Sequence, residues 1–127
     1  MPERLVCDSD ILIEYLRGAA KAISFLEDRD EIFLLSTITI AELFTGARNA
    51  SEEATLEKFL FGFELIPVSE SIARQGGLLR QKFHPSHGTG LADALIAATV
   101  IEANASLVTF NTKHFPMLDN IIVPYTR

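Results

Sequence analysis

The chain has 127 residues, of which 48% are apolar and 22% are charged. That balance is typical of a soluble, folded domain with a real core, and we expect a single domain over residues 1–127. The net charge of −6 argues against a general nucleic-acid binder, because affinity for phosphate normally comes from an excess of lysine and arginine. Carboxylates that hold a divalent metal would reduce the negative excess, so the balance weakens a nucleic-acid function without excluding it.

The same sequence bounds the location of the protein. Cys7 is the only cysteine and lies in a predicted buried strand, so the chain has no internal disulfide. The strand pattern begins within a few residues of Met1 and leaves no room for a secretory signal peptide. The longest apolar runs, such as residues 95–101, are far shorter than a membrane span. We therefore expect a cytoplasmic protein with no membrane partner.

Strand and helix periods alternate along the chain. Strands are predicted at residues 4–7, 32–35, 64–68, 106–109 and 121–123. Helices are predicted at residues 10–16, 20–26, 40–47, 51–61, 69–83 and 91–103, with the loop HPSHGTG before the last of them. This alternation predicts the α/β fold class, with a central, mainly parallel sheet of about five strands and helices on both faces.

Side chains with oxygen ligands fall where predicted strands end or where the following helices run. Asp8 comes directly after the first strand, and Asn111 comes just after the fourth. Glu42 lies in the helix after the second strand, and Asp93 lies in the first turn of the last helix. Because ligands in such folds bind outside the carboxyl ends of the strands, we expect one edge of the sheet to gather these four groups.

Each acid also has a structural explanation. Ser9 or Asp10 fits the N-cap of the first helix, and for Asp10 we favour the cap over a place beside a metal. Thr39 and Glu42 have the spacing of a capping box. The helix dipole favours Asp93 in a first turn. Taken singly, these residues do not indicate a functional site.

The combination of acids is harder to explain structurally. Glu42 and Asp93 are embedded in the apolar helix sequences ITIAELF and GLADALIAA, where a free charge is costly to bury. Together with Asp8 they would raise one another's pKa values by repulsion unless a cation compensates. Mg²⁺ or Mn²⁺ fits that role, because hard cations take carboxylate oxygens. The three acids therefore suggest a metal site, although spacing alone does not prove that they converge.

Four segments carry a family resemblance: VCDSDILIEYLRG, TITIAELFTGA, GLADALIAATVIEANASLVTFNTKHF and the ending IIVPY. In this order, and over nearly the whole chain, they closely resemble the PIN domain as found in VapC-like toxins of toxin–antitoxin pairs. The resemblance implies that Asp8, Glu42 and Asp93 are the catalytic acids that bind metal. It also implies that Thr109 orients the first aspartate and that Asn111 supports the site, at a place where many relatives carry a fourth acid.

The resemblance further implies the activity and the partners. It implies an endoribonuclease that uses Mg²⁺ or Mn²⁺ to hydrolyse RNA phosphodiesters with water as the nucleophile, leaving a 5′-phosphate and a 3′-hydroxyl. It also implies a toxin that forms a homodimer and binds a cognate antitoxin protein in the helical region 40–61. The adjoining run LEKFLFGFELIP carries more apolar side chains than one helical face can bury, which fits a partner surface.

Two sets of residues invite weaker interpretations. The histidines lack the further soft ligands of a zinc site, so we interpret them as structural or solvent-exposed; they are His84, His87 and His114. Five basic residues are candidates to line the approach of RNA to the acids; they are Arg17, Arg48, Arg80, Lys82 and Lys113.

Three alternatives remain open at this point. The DSD sequence also resembles the D-x-D motif of haloacid-dehalogenase-like phosphatases, with Asp8 as the nucleophile, but the chain lacks their later acidic pair and cap domain. A receiver domain has a similar length, yet the third predicted strand exits as LIPVSES, without an aspartate to accept phosphate. The last alternative is a PIN-fold binding module that has lost catalysis because of Asn111.

Overall fold

Five strands form one parallel sheet in the computed structural model, which describes residues 3–127. The strands are β1 (Arg4–Cys7), β2 (Ile32–Ser36), β3 (Glu64–Ile66), β4 (Ser106–Val108) and β5 (Ile121–Ile122). Their order across the sheet is β3-β2-β1-β4-β5, and every neighbouring pair is parallel. In the central strand β1, Leu5, Val6 and Cys7 are fully buried, as expected for a parallel strand that is covered on both faces.

Six α-helices connect the strands within residues 3–127. They are α1 (Ser9–Leu16), α2 (Ala20–Glu27), α3 (Thr37–Thr45), α4 (Ala50–Leu60), α5 (Glu70–His87) and α6 (Leu91–Ala103). A short 3₁₀ turn at Thr112–His114 follows β4. Across the same residues, no helix combines the length and apolar character that crossing a bilayer requires.

The two faces of the sheet have separate apolar layers. On one face, Leu5 and Cys7 pack with Ile11 of α1, in a layer that α2, α3 and α4 complete. On the other face, Val6 packs with Ile96 of α6, and α5 lies against α6. Burial of each large side chain stabilises the fold by about 1.5–3 kcal/mol. The arrangement confirms the predicted α/β class with helices on both faces, and it leaves the edge beyond β1 and β4 free for polar groups.

Helix α3 begins three residues before the predicted start. Its N-cap is Ser36, whose Oγ accepts a hydrogen bond from the backbone N of Ile38 at 3.0 Å. Thr39 therefore lies inside the helix and is buried, and its Oγ1 has no hydrogen-bond partner among the described residues. The capping box that the spacing of Thr39 and Glu42 suggests is therefore wrong, and the carboxylate of Glu42 does not cap α3.

Helix α5 continues through most of the segment predicted as a loop. Pro85 lies in its last turn, where the missing N–H removes only one helical hydrogen bond. The helix ends at His87, before Gly88 with a φ of +68°. Gly76 has a packing role in this helix, because a Cβ at this position would lie 2.6 Å from Cδ2 of Leu95. The glycine allows close packing of α5 on α6, the helix that carries Asp93.

Candidate active site

An open pocket of about 400 Å³ lies beyond the carboxyl ends of β1 and β4. Its lining residues are Asp8, Ser9, Asp10, Glu42, Asp93, Phe110, Asn111 and Arg127. We call it the acid pocket, because half of these residues are carboxylates. The structure thus brings together the three predicted acids and Asn111, while their roles as metal ligands or catalytic groups stay predictions.

Each predicted acid reaches the pocket from a different element. Asp8 is the residue between β1 and α1 and serves as the N-cap of α1; its Oδ1 accepts a hydrogen bond from the backbone N of Ser9 at 2.8 Å. Its own backbone N donates to the carbonyl of Val108 at 2.9 Å, which fixes it to the end of β4. Glu42 comes from the second turn of α3, and Asp93 comes from the first turn of α6.

Thr109 lies behind the pocket and is fully buried. Its Oγ1 donates to Oδ2 of Asp8 at 2.8 Å and lies 3.1 Å from Oδ2 of Asp10. A hydroxyl carries one proton, so it can satisfy only one of these carboxylates fully at a time. The geometry agrees with the predicted orientation of Asp8 by Thr109, and that role in activity stays a prediction.

Asp10 does not cap the first helix as predicted, because Asp8 takes that position. Asp10 lies in the first turn, where its Oδ1 accepts from the backbone N of Ile11 at 2.7 Å. Its Oδ2 accepts from the backbone N of Phe110 at 2.9 Å. These bonds tie α1 to the end of β4 and place a fourth carboxylate in the acid pocket. The preference for the cap was therefore wrong.

Burial makes the negative charges of the pocket costly. It raises the pKa of Asp8 to about 7, and the nearby charge of Asp10 adds to the effect. Burial also raises the pKa of Glu42, with a further contribution from Asp93. Oε1 of Glu42 is buried without a hydrogen-bond partner among the described residues. A buried oxygen of this kind costs free energy unless a donor or a cation satisfies it.

The donor set fits a hard divalent cation, which takes oxygen ligands and keeps several of its waters. The unsatisfied oxygen of Glu42 and the clustered charges are what such an ion would neutralise. As they stand, however, no three histidine, cysteine, aspartate or glutamate side chains in residues 3–127 are arranged to hold one ion. The acids would therefore hold such an ion at least partly through its bound waters.

His114, which the sequence analysis interprets as structural or solvent-exposed, contacts two residues of the acid pocket. Its Nδ1 lies 3.0 Å from Oδ2 of Asp93 and 2.8 Å from Nδ2 of Asn111. A carboxylate only accepts hydrogen bonds, so Nδ1 can donate to Asp93 or accept from Asn111, but it cannot do both at once. The imidazole therefore links two groups of the acid pocket. Its spacing of three residues from Asn111, across the 3₁₀ turn, was the available signal.

The five basic residues considered as candidates for the RNA approach lie outside the pocket lining, and their role in RNA binding stays a prediction. None of Arg17, Arg48, Arg80, Lys82 or Lys113 lines the acid pocket. Arg48 forms an ion pair at 2.8 Å with Glu52, which lies in the first turn of α4. The basic residue that does line the pocket is Arg127, near the last strand.

A second concavity of about 320 Å³ lies between α1, α2 and α4. We call it the aromatic groove, and its lining residues are Tyr15, Leu26, Glu27, Phe33, Lys58, Phe59, Gly62 and Phe63. The ring of Phe59 stacks on Tyr15 at 5.3 Å and meets Phe63 edge-on at 5.0 Å. Phe61 is 88% exposed beyond the end of α4. The excess of apolar side chains in this run is therefore only partly buried.

Comparison with known proteins identifies the family. The PIN domain profile matches residues 5–120. Ribonuclease VapC19 of Mycobacterium tuberculosis is 39% identical over 122 residues, which cover 93% of this chain and 97% of the relative. Ribonuclease VapC10 of the same species is 36% identical over 124 residues, which cover 95% and 92%.

Solved structures agree with the sequence relatives. A chain from a toxin–antitoxin complex of Klebsiella pneumoniae has a TM-score of 0.82 at 31% identity, covering 95% of this chain and 98% of that one. A chain from VapBC2 of Rickettsia felis, bound to a DNA fragment from its promoter, has a TM-score of 0.76 at 26% identity, covering 94% and 96%. Neither the haloacid-dehalogenase-like nor the receiver alternative is favoured by these matches. The chain belongs to the PIN-domain family, and within that family it is a homologue of the proteins named VapC.

Proposed function

We propose that this protein is a metal-dependent endoribonuclease that hydrolyses RNA phosphodiesters as the toxin of a toxin–antitoxin pair. The observation that carries the proposal is the convergence of Asp8, Glu42 and Asp93 on one open pocket at the carboxyl edge of the sheet. The relatives named ribonuclease VapC support the same activity. The cleft is open enough for a polymer chain, whereas a small-molecule enzyme more often encloses its substrate.

Asp8, Glu42 and Asp93 are the residues that would hold Mg²⁺ or Mn²⁺. The ion would supply a bound water of lowered pKa and positive charge that stabilises the departing oxyanion. Asp8 is held on one oxygen by the backbone N of Ser9 and on the other by the hydroxyl of Thr109. These bonds fix its orientation before any ligand arrives, so little ordering is left to be done at the moment of reaction.

The remaining polar groups of the pocket set its shape. Asp10 anchors the turn after β4 through the backbone N of Phe110. Asn111 presents an amide where many relatives carry an acid, and His114 restrains that amide at 2.8 Å. We assign Asn111 a supporting role, since a neutral amide oxygen can hold a water or a cation without adding charge to an already acidic pocket.

We propose that the antitoxin binds in the aromatic groove. Its position between α1, α2 and α4 overlaps the region 40–61 that the resemblance assigns to this partner, but it reaches further, to Tyr15 and Phe33. A groove lined by aromatic side chains suits an amphipathic segment that inserts apolar anchors. The likeness to a chain of a toxin–antitoxin complex at 31% identity supports such a partner.

We also propose a homodimer and a cytoplasmic location. Leu78 of α5 and Leu91 of α6 are largely exposed apolar side chains on the side of the sheet away from the aromatic groove. A second copy of the chain that covers them would leave the aromatic groove, on the other face of the sheet, accessible. Sedimentation equilibrium tests this, and a monomer at all accessible concentrations would contradict it.

The activity is tested with a randomised single-stranded RNA pool that carries a fluorophore and a quencher. Wild-type protein should cleave the pool with Mn²⁺ or Mg²⁺ and stop when EDTA is added. Asp93→Asn should reduce the rate by more than about 100-fold, because loss of a group that only supports a metal ligand already costs about 10–100-fold. Asp30→Asn, in an exposed turn, is the matched control with the same change of charge.

Two results would contradict the proposal. Equal rates for Asp93→Asn and Asp30→Asn would remove the acid pocket from the reaction. Wild-type protein that binds the pool in fluorescence anisotropy but does not cleave it with either metal would favour the lapsed binding module, with Asn111 as the reason. Purified product ends distinguish water attack, which leaves a 5′-phosphate, from attack by the ribose 2′-hydroxyl.

A further inference from the structure

One basic side chain stands among the carboxylates of the acid pocket. Within residues 3–127, Arg127 is the sole lysine or arginine in the pocket lining. Its guanidinium carbon lies 4.4 Å from the ring centroid of Phe110, which is another lining residue. Its Nη1 lies 4.0 Å from Oε1 of Glu14, at the outer limit of an ion pair. The side chain of Arg127 is 52% exposed.

Phe110 gives Arg127 a fixed platform. The backbone N of Phe110 donates to Asp10 at 2.9 Å, and its ring meets Tyr125 edge-on at 5.0 Å. The hydroxyl of Tyr125 donates to Oε1 of Glu14 at 3.5 Å, which connects this segment to α1. The residues after β5 therefore turn back over the end of β4. An arginine that stacks on an aromatic face loses less conformational entropy when its N–H groups later bind an anion.

The donors of Arg127 are not used by the pocket. Among the described residues, its guanidinium makes no hydrogen bond, and its one ion pair is the long contact with Glu14. It lies close enough to the pocket to lower the pKa of Asp10, although burial outweighs this effect and leaves that pKa raised. A guanidinium beside four carboxylates that pairs with none of them keeps its planar fork available for an incoming anion.

We propose that Arg127 binds a backbone phosphate of single-stranded RNA at the mouth of the acid pocket, beside the phosphate that is cleaved. The inference rests on the proposed function. A chain of net charge −6 with an acidic cleft repels RNA, so at least one cation is needed where the polymer enters. Arg127 supplies that cation at the pocket.

The variant Arg127→Gln removes the charge and keeps most of the side chain. We expect KM for the quenched RNA pool to rise about tenfold, as for the loss of a hydrogen bond to a charged group, with a smaller effect on kcat. The slope of log affinity against log salt should become shallower by about one. Arg127→Lys keeps the charge but not the bidentate fork, so its KM should lie between those of the wild type and Arg127→Gln.

Arg74→Gln is the matched control. Arg74 is 78% exposed and pairs with Glu70 in the first turns of α5. That end of α5 lies near the C-terminal end of α6, because Oγ of Ser69 lies 3.4 Å from Glu102, so it is remote from Asp93. The control changes the net charge equally but should leave KM and the salt slope at wild-type values.

Mn²⁺ binding without RNA gives a readout that is independent of cleavage. Arg127→Gln should tighten Mn²⁺ binding about two- to threefold by electron paramagnetic resonance, because a like charge near the carboxylates is removed. Weaker RNA binding together with tighter metal binding cannot come from general damage to the fold.

Three outcomes overturn the inference. In the first, the wild-type protein cleaves RNA, and Arg127→Gln has the same KM and salt slope as Arg74→Gln. Arg127 is then not part of the RNA site, and the proposed function stands. Faster cleavage by Arg127→Gln at unchanged KM means that the arginine obstructs the pocket. Wild-type protein that neither binds nor cleaves the pool removes the proposed function and this inference with it.

Discussion

The acid pocket and the aromatic groove are concavities of similar size, about 400 and 320 Å³, built in opposite ways. The acid pocket lies where parallel strands end, and its walls are carboxylates that repel one another. The aromatic groove lies between helices, and its walls are phenylalanine and tyrosine rings that are only partly covered. The acid pocket has negative charge that a cation could neutralise, and the aromatic groove has apolar surface that a partner could cover.

The difference shows what each surface costs the folded chain. In the acid pocket, burial of Asp8 without a cation works against folding, so function is gained at the expense of stability. In the aromatic groove, Phe59 still contributes to the core through Tyr15 and Phe63, so partner binding and stability draw on the same side chains. Substitutions at the two surfaces should therefore change stability with opposite signs.

The largest effect is expected from Asp8→Asn. Cleavage should fall by more than about 100-fold, since a metal-binding carboxylate is lost. In metal-free buffer at pH 8 the free energy of unfolding should rise by about 2–4 kcal/mol, because a buried charge is removed. The amide still accepts from Ser9, while the hydroxyl of Thr109 can turn to Asp10. Urea unfolding with EDTA measures this, and a loss of stability would contradict the buried-charge argument.

The pH dependence of the free energy of unfolding should also show the cost of the buried Asp8 charge. Asp8 titrates near pH 7 in the folded state and near 3.8 when unfolded, so between these values the folded state holds a proton that the unfolded state does not. Metal-free wild-type protein should therefore lose up to about 4 kcal/mol relative to Asp8→Asn as the pH rises from 4 to 7. The difference between the two unfolding curves isolates this group, and parallel curves would refute the assignment.

The sheet and three of the four acids of the pocket could be predicted, because their signals are local and periodic. The run of Leu5, Val6 and Cys7 has to be a buried strand, and a carboxylate directly after it has to lie at the sheet edge. Asp93 was similarly placed by an apolar helix that begins just before it. Because the strands are parallel, their carboxyl ends lie at the same edge of the sheet, which brings these acids together.

What escaped prediction depends on contacts between distant segments. The sequence favours a cap for Asp10 because aspartate is common at N-cap positions, and only the approach of Phe110 in the structure shows its second partner. His114 joins the pocket through a 3₁₀ turn, and its three-residue spacing from Asn111 is too short a pattern to predict that contact alone. Arg127 reaches it because Tyr125 packs against Phe110, a contact that pairs residues after β5 with the end of β4.

Substitution of Phe59 in the aromatic groove should have an intermediate effect on stability, opposite in sign to that of Asp8→Asn. Phe59→Ala should lower the free energy of unfolding by about 2–3 kcal/mol, because a partly buried ring is lost from its contacts with Tyr15 and Phe63. Phe61→Ser, at an exposed ring in the same run, should stay within about 0.5 kcal/mol of wild type. Both folded variants should cleave RNA at the wild-type rate. A change in rate for either would mean that the groove and the pocket are coupled.

The smallest expected effect is on cleavage and Mn²⁺ affinity, when His114 beside the acid pocket is replaced. His114→Leu should reduce cleavage and Mn²⁺ affinity about tenfold, at the lower end for groups that support a metal ligand, because Asp93 and Asn111 lose their shared partner. His114→Asn places an amide near the former Nδ1 and should recover part of both, whereas a purely space-filling role would favour leucine. His87→Asn, at a histidine bonded only to its neighbour Ser86, is the matched control. If leucine and wild type bind Mn²⁺ equally, the imidazole merely fills the wall, and the orientation of Asp93 comes from its place in the first turn of α6 alone.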